Sequence, residues 1–367
     1  MYHPTFFGVL FCFIFWIISV LIYVPATVGI IGKRIQASYP LERSKLILLF
    51  VLITIYSVFE FAGGDFFHYK EFYEQVHDTG TDQGLDSIYL WLIELIPNNF
   101  YLWRLAIWGP AAFLWVIIIK RLGYSPKLAG CLFFLVVFFL FVGARQALGF
   151  CTIYLGITLI LKSTRPLDTF CGLLLFFSAA FLHSTMIVYM LLSILSILPL
   201  KKRFILISLL IFPIVYKFFG LFIEKFLVYL DLYNYSSSDT FVKYLESEYR
   251  REYNIIGYSR IFIDRLPIFI LLFMSIKDVY WKNLEMHRIY RCFLIMTYVL
   301  IYISFLFVGR DVSAYIAPRF WDASLFPLTL FLGGYLSLKK SNHSILLAMT
   351  LLIISKVFTY LYIFYKL

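Results

Sequence analysis

Residues 6–31 run for 26 positions without one charged side chain. About 20 apolar residues in a helix cross the roughly 30 Å hydrocarbon core of a bilayer. The pattern recurs along the chain, with apolar runs at 6–31, 45–62, 100–119, 127–143, 146–161, 168–183, 184–199, 204–219, 261–276, 292–308, 320–336 and 344–364. These runs are continuous, whereas a β-barrel shows alternating segments of about ten residues. Charged residues make up only 14% of the chain, against roughly 25% in a soluble domain, and the mean hydropathy is +0.86. The reading is all-α: a polytopic integral membrane protein, one membrane domain over 1–367 with about 12 transmembrane helices.

Two of the stretches need division. As single helices, 127–161 and 168–199 would each reach roughly 50 Å at about 1.5 Å per residue, too long for one crossing. Each reads as a tight hairpin, one tipped by Arg145-Gln146 and the other by His183-Ser184. Between the runs lie six short basic segments: Lys33–Lys45, Lys120–Lys127, Lys162–Arg165, Lys201–Arg203, Lys277–Arg291 and Lys339-Lys340. They hold 18 of the 32 Lys and Arg residues. Twelve spans alternate between them without a break, which places these segments in the cytoplasm and both termini outside. No basic residue precedes the first run, so the N-terminus does not read as a cleavable signal. The segment 63–99 carries seven acids against Lys70 alone, as suits an extracytoplasmic loop. The net charge of +11 is therefore mainly a topology signal and does not point to nucleic acid. The five cysteines all lie in apolar runs, with no CxxC, and read as small packing residues.

Under this topology Arg145 is the single charge between Gly130 and Leu161 and lies at the outer face. An arginine at a helix centre costs about 2.5–3.5 kcal/mol on insertion scales. Arg260, Arg265, Arg310 and Arg319 share that face, with His183 at the second hairpin tip. "GGDFFHYKEFY" brings Asp65, His68, Tyr69 and Tyr73 to the same side. Each arginine alone reads equally as a snorkelling or ion-paired residue. Five together, beside a histidine and an aspartate, form a cationic pocket suited to phosphate or pyrophosphate, which the planar guanidinium fork binds well.

Two outer loops are long, 63–99 and 220–260. Within the first, "GLDSIYLWLIELIP" (84–97) is too short to span and reads as an amphipathic interfacial helix or a re-entrant segment. The Tyr-rich second loop suits sugar binding or an interfacial aromatic belt. Neither GxxxxGKS nor HExxH occurs, so ATP-driven transport and a zinc protease lack their signatures.

The ordered set "GGDFFHYKEFY", "RQALGF", "FLHSTMIVYML" and "APRFW" resembles the EpsG family of Wzy-type polysaccharide polymerases. Family members look like "DYxxY", then "RQ" before small and apolar residues, then "FHxS". Here "DFFHY" stands in the first place, so Phe66 replaces the first tyrosine of that motif.

The resemblance implies a GT-C-like membrane glycosyltransferase at the outer face of the bacterial inner membrane. It would join oligosaccharide repeat units carried on undecaprenyl pyrophosphate, for O-antigen, capsule or exopolysaccharide, and release undecaprenyl pyrophosphate. Implied partners are the lipid-linked donor and acceptor, membrane lipid, a chain-length regulator and a flippase. No cofactor or metal is implied, and the transfer is expected to invert. Arg145, Arg319 and Arg310 would hold the pyrophosphate and stabilise the charge it gains. Gln146, His68, Tyr69, Tyr73, Arg260 and Arg265 would complete the substrate surface.

His183 reads as the general base or as a helix-capping histidine. Asp65 reads as the alternative base or as a helix N-cap, and Tyr69 and Tyr73 as sugar-stacking or interfacial packing rings. Three other functions share parts of this pattern: another GT-C-type glycosyltransferase using lipid-linked sugars, a membrane acyltransferase, and a flippase for lipid-linked glycans. The first usually has an acidic first outer loop, the second takes substrate from the cytoplasm, and the third calls for charges at mid-membrane and internal repeats. Charge gathered at one face favours the polymerase.

Overall fold

The computed structural model describes residues 6–32, 43–59, 64–79, 87–96, 99–138, 141, 146–183, 185–197, 202–220, 265–274, 276, 288–307, 313–338 and 343–366. Among these residues the chain is helical and no strand occurs. The helices are α1 (Phe6–Gly32), α2 (Arg43–Phe59), α3 (Gly64–Thr79), α4 (Ser87–Leu95), α5 (Phe100–Leu122), α6 (Pro126–Leu132), α7 (Gln146–Lys162), α8 (Pro166–Leu182), α9 (Met186–Ile197) and α10 (Lys202–Leu210). They continue with α11 (212–220), α12 (Arg265–Met274), α13 (Arg288–Phe307), α14 (Ser313–Leu338) and α15 (His343–Lys366). Among the described residues, Phe6–Tyr23, Phe100–Leu122 and Arg288–Phe307 are long and apolar enough to cross a membrane. Shorter apolar helices surround them, including α7, α8 and α9.

Local sequence explains the helix limits. Asn99 caps α5, its side-chain oxygen accepting from the Leu102 N–H at 3.0 Å, which satisfies one of the orphan donors of the first turn. Gly123, at φ 76°, ends α5 by donating to the Ile119 and Lys120 carbonyls, a left-handed cap. Lys120 and Arg121 sit in that last turn, where the helix dipole favours cations. Pro166 opens α8 with Asp168 in its first turn, again matching the dipole.

Of the two expected hairpins the second forms, whereas the tip of the first at Arg145 lies outside the described residues. Helix α6 runs into a π-helical turn, Phe133–Val137, in which the Phe138 N–H reaches back to the Phe133 carbonyl. The next described helix is α7. In the second hairpin α8 ends at Leu182 and α9 starts at Met186, with His183 extended between them (φ −164°, ψ 132°). Helices α7 and α8 pack backbone to backbone. A Cβ added at Gly156 would lie 2.8 Å from the Gly172 carbonyl oxygen, and one at Gly172 2.9 Å from that of Gly156. Small residues of this kind let membrane helices approach where lipid offers no hydrophobic drive to pack them. Outward, α8 shows Leu167, Phe170, Leu173, Leu174, Phe177 and Phe181, an apolar face suited to lipid.

Contacts at the helix ends set the relative directions. At one end the Tyr124 hydroxyl donates to the Leu330 carbonyl, the Tyr290 hydroxyl to that of Leu122, and Lys162 Nζ to that of Arg121. At the other end Phe59 meets Tyr101, Phe307 stacks on Phe320, and Gln146 meets Thr185. Between them is an aromatic core of Trp115, Phe133, Phe141, Phe150 and Phe326. Cys12, Cys131, Cys151 and Cys292 are buried and Cys171 is exposed.

The segment 63–99 differs from the expectation of a loop with one short helix. Two helices occupy it, α3 and α4. Helix α3 is too polar to give a membrane signal, yet it buries Tyr69 and Tyr73, which share one helical face at i and i+4.

Candidate active site

Gln146 opens α7, and its side-chain Nε2 donates to Thr185 Oγ1 at 3.2 Å. Thr185 lies two residues past His183, in the turn between α8 and α9. The Thr185 backbone N–H donates to His183 Nδ1 at 3.2 Å, and Thr185 Oγ1 lies 3.0 Å from the same nitrogen. The "RQ" and "FLHST" segments, 37 residues apart in sequence at Gln146 and His183, are thus one hydrogen-bonded junction. The turn is held by the Met186 N–H on the His183 carbonyl at 2.9 Å.

This junction fixes the histidine tautomer. A backbone N–H can only donate, so Nδ1 accepts and carries no proton. In the neutral ring the proton is then on Nε2. His183 therefore presents an Nε2–H donor, and its basic nitrogen is already engaged by Thr185.

One turn further along α9, Tyr189 packs on Phe150 at 4.8 Å and on Phe320 at 5.8 Å between ring centroids. It lies within electrostatic reach of Arg319 and Asp322. Arg319 itself is exposed at the start of α14. Arg265 opens α12 and sets its guanidinium 4.5 Å over the Trp321 ring, a cation–π contact that holds a half-buried cation. The same end of the bundle thus carries Gln146 on α7, His183 and Thr185 in the turn between α8 and α9, Arg265 on α12 and Arg319 on α14.

The α3 side of this face is different in kind. Tyr69 packs against Trp103 and Trp108, and Tyr73 against Phe100 and Trp103. The Tyr73 hydroxyl donates to the Ile96 carbonyl and accepts from the Asn99 N–H at 3.0 Å. Both rings are only 7% and 5% exposed, so their faces are covered and they are packing residues here, not sugar-stacking platforms. Asp65 and His68 lie in the first turn and a half of α3. Arg145, Arg310 and Arg260 lie outside the described residues.

A further arginine escapes a reading that looks only at helix ends. Arg104 is fully buried within α5. Its Nε and Nη2 donate to the Ser57 carbonyl of α2 at 3.0 and 2.5 Å, and its guanidinium lies 4.5 Å from the Trp108 ring. Trp108 in turn donates from Nε1 to the Phe141 carbonyl at 3.1 Å. A lone charge one turn past an N-cap in an apolar run is the signal that would have found it. Among the described residues no three His, Cys, Asp or Glu side chains gather as a metal site would require.

No curated protein and no solved structure matches the chain. The model of the EpsG family matches residues 44–367. That span runs from the start of α2 to the end of the chain and takes in the whole junction of Gln146, His183 and Thr185, so the chain belongs to the EpsG family.

Proposed function

We propose that the chain is a polysaccharide polymerase that joins undecaprenyl-pyrophosphate-linked repeat units at the outer face of the bacterial inner membrane. Its family is one of glycosyl polymerases, and its apolar helices make it a membrane protein. The observation that carries the site is the Gln146–Thr185–His183 junction, placed at the helix ends that also hold Arg319 and Arg265. The topology is twelve spans with this end outside. What supports it is the alternation of helix directions together with basic segments at the opposite helix ends.

In this reading the donor sugar C1–O bond breaks, the pyrophosphate takes the electron pair, and the acceptor hydroxyl attacks C1 from the opposite face. Arg145, Arg319 and Arg310 hold the pyrophosphate and stabilise its growing charge. His183 adds an Nε2–H donor, in line with its engaged Nδ1. Asp65 is then the base that takes the acceptor proton. Inversion follows from a single displacement, and the arginines stand where other glycosyltransferases use a metal.

The test is polymerisation of purified lipid-linked repeat units by the purified protein in EDTA, without ATP. Wild type is expected to build polymer. Arg145→Ala and Arg145→Lys are both expected to lose it, since a point charge does not reproduce the bidentate fork. Normal polymer from Arg145→Lys refutes the pyrophosphate clamp.

A further inference from the structure

At the end of the bundle opposite His183 lies a cavity of about 350 Å³, at the small end of the roughly 300–1,000 Å³ range of ligand pockets. Arg121, Lys162 and Arg165 line it with Ser163, Thr164 and Asp168. It forms where the C-terminal turns of α5 and α7 meet the first turn of α8.

Asp168 is the one carboxylate among these six and is committed within the protein. Its Oδ2 accepts from Ser163 Oγ at 2.8 Å and lies 3.5 Å from Arg121 Nη1. Lys162 Nζ donates to the Arg121 carbonyl, closing the end of α5. Three cations against one carboxylate leave two positive charges over. From its first turn onward α8 also presents an apolar outer face, with Leu167 69%, Phe170 58% and Leu174 56% exposed. A basic cavity joined to an exposed apolar helix face fits an amphiphile with an anionic head.

We propose that this cavity is a phosphate site, filled by the headgroup of an anionic phospholipid whose acyl chains run along Leu167, Phe170 and Leu174. Free phosphate offers the same head chemistry without the chains. The site stands apart from the reaction at the opposite end and does not rest on it.

Native mass spectrometry of the purified full chain in detergent tests this, with phosphatidylglycerol, phosphatidylcholine and inorganic phosphate as probes. Phosphatidylglycerol is expected to bind wild type most tightly. Each of Arg121→Gln, Lys162→Gln and Arg165→Gln is expected to weaken it about fivefold, the scale of one basic residue near an anionic lipid surface. Asp168→Asn is expected to tighten it, because the internal carboxylate no longer competes for Arg121. That gain cannot arise from misfolding. Equal binding of phosphatidylglycerol by wild type and all four variants overturns the site. Binding of inorganic phosphate as tight as that of the lipid, with the same response to the variants, overturns the lipid assignment and leaves a soluble anion as the occupant.

Discussion

Glutamine and alanine at position 183 distinguish a hydrogen-bond donor from a base. His183 Nδ1 accepts from the Thr185 N–H at 3.2 Å, so in the neutral ring the donor is Nε2–H. A glutamine amide nitrogen reaches to about the place of imidazole Nε2 and also donates, whereas alanine donates nothing. A hydrogen bond to a charged acceptor contributes about 1.5–3 kcal/mol, which is roughly 10- to 150-fold in rate at 1.36 kcal/mol per decade. His183→Ala is therefore expected to lower the polymerisation rate by about that factor, and His183→Gln by no more than a few-fold. A general base gives another pattern: neither replacement takes a proton, and both fall together by about 10²–10⁴-fold. The assay is the initial rate of polymer formation from a defined lipid-linked repeat unit, at saturating substrate, with purified wild type and both variants. Equal losses of 100-fold or more in glutamine and alanine variants refute the donor role and return the base to His183.

The remaining predictions concern topology and packing. In a cysteine-free background, cysteines at Gly80 and Ser237 are expected to label with an impermeant maleimide in intact cells and one at Gln36 to stay unlabelled; labelling at Gln36 reverses the orientation. Gly156→Val is expected to push α7 from α8, because even a Cβ would lie 2.8 Å from the Gly172 carbonyl. Overpacking costs about 1–3 kcal/mol, read as a lower thermal midpoint in detergent, and an unchanged midpoint removes the tight crossing. Arg104→Ala strands the Ser57 carbonyl that now takes two donors. A loss of about 1–3 kcal/mol is expected from that alone, measured by denaturant unfolding, and wild-type stability would show that Arg104 does not tie α2 to α5.

The class of the fold was legible because bilayer thickness leaves so few uses for runs such as 6–31. The turn at His183 was legible for the same reason, since no single crossing accommodates 168–199, whereas the tip expected at Arg145 lies outside the described residues. Helix α3 was not: "GDFFHYKEFYEQVHDT" is too polar to announce itself by hydropathy, and only the spacing of Tyr69 and Tyr73 marks its buried face. Arg104 stayed hidden because its acceptor, the Ser57 carbonyl, lies 47 residues away and belongs to the backbone, which leaves no trace in side-chain pattern. The histidine at 183 was visible as a candidate, but its tautomer depends on one backbone N–H two residues on. The hydrogen bonding of its ring follows from that turn and could not follow from residue type.

The π-helical turn at Phe133–Val137 works as a phase shifter. Wound as an ordinary α-helix, those five residues would carry the following chain about 90° further round the axis, given about 100° per α-helical residue and the wider i→i+5 turn. Phe141, whose carbonyl takes the Trp108 indole and whose ring meets Trp115 and Phe326, would then face away from all three. The wide turn absorbs what amounts to one inserted residue and keeps Phe141 in register with the core. Losing a single residue inside 133–137 would let the turn relax to α without moving Phe141. The same loss just before or after it would rotate Phe141 out of line. Tolerance to length change in this arm is therefore confined to five positions, all of them deep in the core.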